Sequence, residues 1–267
     1  MRVRQVGLFG LCCALAFVAS FAVSNSGRSQ TQKGSTGTGL SQAEQDLLTE
    51  INLARANPGQ YATYLENLKP LFKGKAYTRQ GLPALLTEEG WSAVEEAITF
   101  LRAAKPPGPL GMSSGLNLAA QVHVKDQAGS GTTGHQGTNK GRIEERVKPY
   151  GIWQGAIGEN LSYGNESARE RVLTWLIDDG FASRGHRKRL LSNDYKVGGL
   201  ACGAHPQWGT MCCLTLAGAF TDMTPAKAAT ASANTNTNTT KAPTASKNSN
   251  SNTQTNKPKP TSGKVPE

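Results

Sequence analysis

Histidine and cysteine are scarce in this 267-residue chain, with four of the first and five of the second. Cys12 and Cys13 lie inside an N-terminal apolar run with no small residue just before them, which argues against a lipoprotein cleavage site and takes both out of the mature count. Cys202, Cys212 and Cys213 remain, and without a second cysteine pair they are a poor basis for a thiolate metal site. No His-Glu-x-x-His helix is present, no internal repeat stands out, and no second long hydrophobic run follows the first. Acidic residues are the minority, 19 against 29 lysines and arginines, for a net charge of +10. That surplus would suggest an anionic partner if it lay on the folded part. It does not: Arg2 and Arg4 supply two charges, Arg28 and Lys33 two more, and six lysines against Glu267 after Met223 another five, leaving +1 for residues 41–223. No nucleic-acid module is recognisable, and nucleic acid is excluded as an expected partner.

The chain opens Met-Arg-Val-Arg and continues without charge from Val6 to Val23, with small residues at Ser20, Ala22 and Ser24. This pattern predicts a signal peptide over residues 1–24, with an uncleaved anchor as the alternative because the run approaches spanning length. A flexible linker is expected over 25–40 and a compact domain over 41–223. Residues 224–267 hold Ala, Thr, Asn, Ser, Lys and Pro with no aromatic side chain, so they cannot bury enough surface to offset their conformational entropy and are expected to form a disordered tail. After cleavage no transmembrane segment is expected. The protein is expected to be secreted, extracellular or envelope-associated, and monomeric.

Within the domain, Ser41-Gln42-Ala43-Glu44 has capping-box spacing ahead of Leu47, Leu48, Ile51 and Ala54, which predicts a helix ending before Pro58. Further helices are expected over Pro58–Leu68, around Trp91–Ala103, between Ser114 and Gly129, and over Ser167–Asp178. Ala156–Tyr163, Val197–Gly203 and Thr210–Phe220 read as strands, the last two as a hairpin, and the mixed order points to an α+β layered fold. The hairpin would set Cys202 beside Cys212 in an exported protein, with Cys213 left free or paired elsewhere; which of the two bonds Cys202 stays open. Residues 70–112, apart from the Trp91 helix, resist placement.

Four glycine-framed or acid-rich segments carry ligand-type side chains: Gly134-His135-Gln136-Gly137, Gly158-Glu159-Asn160-Leu161, Trp175-Leu176-Ile177-Asp178-Asp179 and Ser183-Arg184-Gly185-His186-Arg187. Two histidines and two carboxylates suffice for a divalent metal or for acid–base work. The same side chains would also serve as a buried hydrogen-bonded network between layers. His123 and His205 lack such company and read as structural or surface residues.

From Asn52-Leu53-Ala54-Arg55 through these segments to the closing hairpin, over about residues 44–220, the sequence resembles the CAP superfamily of cysteine-rich secretory, antigen-five and pathogenesis-related-one proteins in its bacterial SCP-like form. The resemblance implies a three-layer α-β-α sandwich and a cavity with two histidines and two acids able to coordinate a divalent cation, zinc foremost. Carried over by motif, the metal set is His135, Glu159, Asp178 and His186, with Asp178 standing where relatives usually have glutamate. The eukaryotic members of the family have several more disulfides than this chain can form, and residues 70–112 are insertion-like.

The resemblance implies a secreted, non-enzymatic protein that binds a divalent metal and an extracellular ligand such as a lipid, a cell-wall component or a protein. One alternative is a metal-dependent peptide or ester hydrolase using Glu159, although no serine or cysteine nucleophile stands beside a histidine in a recognisable motif. Another is a wall-associated structural protein acting through its tail.

Overall fold

A computed structural model describes residues 39–223 except 80, 82 and 140. The expected signal peptide, linker and tail therefore lie outside the described residues, apart from the linker's last two positions. Chain order runs α1 (Gln42–Ala56), α2 (Pro58–Glu66), a 3₁₀ turn, the short strands β1 (Phe72–Lys73), β2 (Ala76–Tyr77) and β3 (Leu85–Leu86), then α3 (Trp91–Ala103) and β4 (Gly111–Met112). It continues with α4 (Ser114–Ser130), α5 (Ile143–Val147), β5 (Gly151–Tyr163), α6 (Ala168–Ile177), α7 (Gly185–Leu191), β6 (Val197–His205) and β7 (Gly209–Asp222). The main sheet has the order β4-β6-β7-β5, with β5, β6 and β7 antiparallel and β4 parallel to β6.

The fold is α+β, and side-chain alternation along β7 makes its three layers. Cys212, Leu214 and Leu216 face a core shared with α1, α2, α3, α6 and α7, built around Ile51, Tyr61, Leu101, Trp175 and Leu190. Met211, Cys213 and Ala217 face the other side, against Ala119, Ala120 and Val124 of α4 and Val147 of α5. The period of two also decides the cysteine pairing. Cys202 lies directly opposite Cys212 in the hairpin register and is bonded to it, whereas Cys213 points through the opposite face and is a buried free thiol.

Local chemistry fixes where the helices start. Ser41 caps α1 and Glu44 closes the capping box; the Glu44 carboxylate also accepts the Cys202 backbone N–H at 2.8 Å, tying the helix start to β6. Ser167 and Glu170 form a second capping box on α6. Arg55, fully buried, donates to the carbonyls of Gly108, Leu190, Ser192 and Tyr195, so one guanidinium satisfies chain carbonyls from three segments.

Helix α4 lies directly on β6 because β6 has glycine where they meet. A Cβ on Gly199 would stand 2.0 Å from the Leu116 carbonyl carbon. Gly199→Ala is therefore expected to cost about 3 kcal/mol or more. Gly129, in the same helix but with nothing within 4 Å of its Cβ position, gives the opposite expectation: Gly129→Ala stabilises by up to about 1 kcal/mol. Chemical denaturation of the two variants beside the parent checks both signs.

Candidate functional site

β5 is an edge strand, and the segment Gly158-Glu159-Asn160-Leu161 within it serves both faces of the sheet. Gly158 leaves room for the Arg189 stem and the Tyr195 hydroxyl, each 2.8 Å from where a Cβ would stand. Glu159 projects toward α4 and α5. Asn160 projects the other way, donating to the His186 carbonyl at 3.1 Å and accepting from Arg189 Nε at 3.0 Å, which holds α7 against the strand. Leu161 enters the α4-side core while its carbonyl accepts the Trp175 indole N–H at 2.8 Å.

On the α4 side, Glu159 is 4 % exposed and surrounded by donors. His135 Nδ1 donates to its Oε2 at 2.9 Å, Arg146 of α5 makes a short ion pair with Oε1, and the Cys213 thiol lies 3.4 Å from Oε1. Burial pushes the Glu159 carboxyl up, but the His135 hydrogen bond and the charge of Arg146 outweigh it and hold the group at about 2. Burial, reinforced by Glu159, drives the Cys213 thiol well above its ordinary value, so it is not a thiolate nucleophile. Arg146 also donates to the His135 carbonyl at 2.9 Å, fixing main chain and side chain of the same residue.

The loop bearing His135 is pinned from below. Tyr163 accepts the Gly134 N–H at 3.0 Å and donates to Gln127 at 2.6 Å, while Gln127 and His123 Nε2 both reach the Gly134 carbonyl. His123 is fully buried, with Nε2 3.9 Å from Glu159 Oε2, and burial pushes its pKa down. His205 is also buried and holds the Thr132 carbonyl at 3.0 Å. Both are structural, but His123 has the polar company that its sequence neighbourhood conceals.

The second pair forms at the junction of α6 and α7. Asp178 ends α6 in the left-handed region, φ 56°, which turns its carboxylate onto the start of the next helix. There it accepts the backbone N–H groups of His186 at 2.8 Å and Arg187 at 3.2 Å, and the His186 Nδ1–H at 2.7 Å. Arg184 and Arg187 clamp this junction to Glu96 of α3, and Arg184 also binds Glu89 just ahead of it, while Asp179 accepts the N–H groups of Glu88 and Glu89. The insertion-like stretch is thus the buttress of the Asp178–His186 pair.

The structure brings His135, Glu159, Asp178 and His186 together as two histidine–carboxylate pairs, their imidazoles 6.4 Å apart between centroids and inclined by 29°. Each ring spends Nδ1 on its carboxylate. His186 Nε2 is buried without a hydrogen-bond partner among the described residues. Among those residues no three His, Cys, Asp or Glu side chains are grouped closely enough to be ligands of one ion. The donor set suits a divalent metal in one respect: carboxylates orient both imidazoles, leaving their Nε2 atoms as the donors. Sequence reasoning missed Arg146, which nothing in Ile143-Glu144-Glu145-Arg146 marks, and missed His123 as a neighbour of Glu159.

His186 and Asp178 also line a cavity of about 630 Å³ that runs from the α6–α7 junction between the β1–β3 segment and the β6–β7 turn. His135 and Glu159 are not among its lining residues.

Because the folded Glu159 pKa is depressed, its contribution to stability is complete above the ordinary carboxylate value and is lost as pH falls from about 4.5 toward about 2. Glu159→Gln leaves Arg146 buried without a counter-charge and is expected to cost about 3 kcal/mol at pH 7. Unfolding measured with chelator present should show this loss at neutral pH and a flatter stability profile between pH 4.5 and pH 2 than the parent.

Residues 96–215 match the model of the Cysteine-rich secretory protein family, CAP. This is narrower than the span suggested by the motifs, and α1 and α2 fall outside it. No curated protein matches the chain. Among solved structures, an outer surface protein from Borrelia burgdorferi is 18% identical, with a TM-score of 0.35 over 40% of this chain and 76% of that one. An extracellular protein containing a SCP domain from Bacillus anthracis is 20% identical, with a TM-score of 0.34 over 46% of this chain and 38% of that one. Overlays this partial bear on neither fold nor activity. On the family model, the chain carries a domain of the CAP superfamily.

Proposed function

We propose that this is an exported, non-enzymatic CAP-domain protein that holds a divalent cation, zinc foremost, on His135 and His186 and receives an extracellular ligand in the adjoining cavity, whether lipid, cell-wall component or protein. The observation that carries this reading is the pairing itself: His135 on Glu159 and His186 on Asp178, each through Nδ1, with His186 Nε2 buried and unpartnered among the described residues. Two carboxylates that fix the tautomer and orientation of two neighbouring imidazoles make the second shell that metal-binding histidines use. In this reading the expected four-residue set divides into two nitrogen donors and two orienting acids. A bound cation would supply a Lewis-acid contact for an oxygen of the ligand.

Export is supported by the Cys202–Cys212 disulfide, which suits an oxidising compartment, and by the N-terminal apolar run. Among the described residues no helix is long and apolar enough to cross a membrane. The hydrolase alternative finds no support at Glu159. A carboxylate held at about 2 and engaged by Arg146 and His135 is a poor general base, and the nearby Cys213 is a buried, protonated thiol.

Calorimetric titration of zinc into the parent and a His135→Ala, His186→Ala double variant tests the proposal. Micromolar or tighter binding that the double variant loses is the expected result. A parent that binds no zinc, with the variant merely less stable, would make the two pairs structural.

A further inference from the structure

The cavity beside His186 is lined by two N–H donors and one imidazole acceptor that have no hydrogen-bond partner among the described residues. Trp208 Nε1 and Arg79 Nε are buried without a partner among the described residues, and both residues line it. His186, 5 % exposed, adds its unpartnered Nε2 at the inner end. An orphaned buried donor forgoes its bond to water without compensation, so an occupant that supplies acceptors is favoured over one that does not. Arg79 meets its other obligations, donating to Glu166 and to the Pro83 carbonyl at 3.2 Å each, which leaves Nε as the atom in want.

Charge narrows the acceptor. The lining holds Glu88, Glu166, Asp178 and Asp179 against Arg79, so a phosphate, sulfate or carboxylate would enter against a negative field. An acyl chain would leave the indole and guanidinium N–H groups unsatisfied. An organic ammonium brings no acceptor, and an extended peptide holds its N–H and C=O groups in fixed directions, so it cannot turn its donors toward the carboxylates while its carbonyls meet the N–H groups. What remains is a neutral molecule rich in hydroxyl oxygens, which accept from N–H groups and rotate to donate to carboxylates or to His186 Nε2.

The walls supply the second criterion. Tyr77, stacked on Phe72 at 4.7 Å, stands on the β1–β3 side; Trp208 stands on the hairpin-turn side, 6.4 Å from Tyr163; and Phe181 packs edge-on against His186 at 5.4 Å. Flat aromatic walls with a few placed polar groups suit a ring with one apolar face and a polar rim.

We propose that this cavity is a carbohydrate-binding site for a neutral oligosaccharide, with Trp208 and Arg79 donating to sugar oxygens and Tyr77 offering a stacking face. The proposal gives a chemical class to the ligand of the functional reading above, and it does not require the metal.

The experiment titrates the full chain, with chelator and again with zinc, against cellotriose and tri-N-acetylchitotriose, following tryptophan fluorescence and calorimetric heat. Trp208→Phe removes the indole donor, and Arg79→Lys removes Nε while keeping the charge opposite Glu166. The expected result is saturable binding of at least one oligosaccharide in chelator, weakened at least tenfold by each variant, with thermal unfolding confirming that both variants are folded. Failure of both sugars to bind the folded parent at millimolar concentrations would overturn the site. So would sugar binding that both variants leave unchanged, or selective binding of palmitate or an unstructured peptide that Trp208→Phe weakens. Zinc binding lost in the His135→Ala, His186→Ala variant is a separate readout, so sugar binding without zinc binding refutes the metal and leaves the carbohydrate site standing.

Discussion

A carboxylate removed from water must be neutralised where it stands, and the folded state of this protein commits three segments to neutralising Glu159. Strand β5 supplies the acid, α5 supplies Arg146, and the loop after α4 supplies His135. Because Arg146 also holds the His135 carbonyl, and Tyr163, Gln127 and His123 hold Gly134 next to it, the loop has little freedom to relocate its histidine. The same strand sends Asn160 through the opposite face to hold α7, so the two histidines are positioned from one edge of one sheet.

Asp178 performs the equivalent task for His186 with fewer parts. Its left-handed backbone reverses the chain after α6, and its carboxylate replaces the missing acceptor for two N–H groups at the start of α7 while orienting the imidazole. Aspartate fits this role because the carboxylate must reach backbone only a few residues away. The arginine clamp from Arg184 and Arg187 onto Glu89 and Glu96 then fixes the turn to the α3 end of the molecule. Phe72, Tyr77 and Arg79, which line the cavity with His186, come from the neighbouring β1–β3 stretch, so the buttress and one wall of the cavity are continuous in sequence.

Much of this was legible in the chain. Ser41 and Glu44, Ser167 and Glu170 announce their helices through capping spacing, and the Trp91–Ala103 helix follows from its apolar periodicity. His135, Glu159, Asp178 and His186 were singled out by ligand-type residues in glycine-framed or acid-rich segments and, more decisively, by the family resemblance; spacing alone did not join them, and the structure sets them as two histidine–carboxylate pairs. What was not legible depends on tertiary contacts. Residues 72–86 pair as two-residue strands too short to carry a periodic signal, and α5 and α7 are five and seven residues long. Arg146 sits in an ordinary charged helix and acquires its role only because β5 brings Glu159 beneath it. Cys213 was ambiguous as a bonding partner until the β7 register put it on the opposite face from Cys202.

The account stands on the orientation of two imidazoles, each donating from Nδ1 and keeping Nε2 as a lone pair for whatever the site receives. Nitrogen-15 NMR of the histidine side chains at mildly alkaline pH in chelator reads the tautomers directly. The account predicts the Nδ1–H tautomer for both His135 and His186. An Nε2–H tautomer at either position would mean that its nitrogen lacks the carboxylate partner assigned here, and would contradict the site as described.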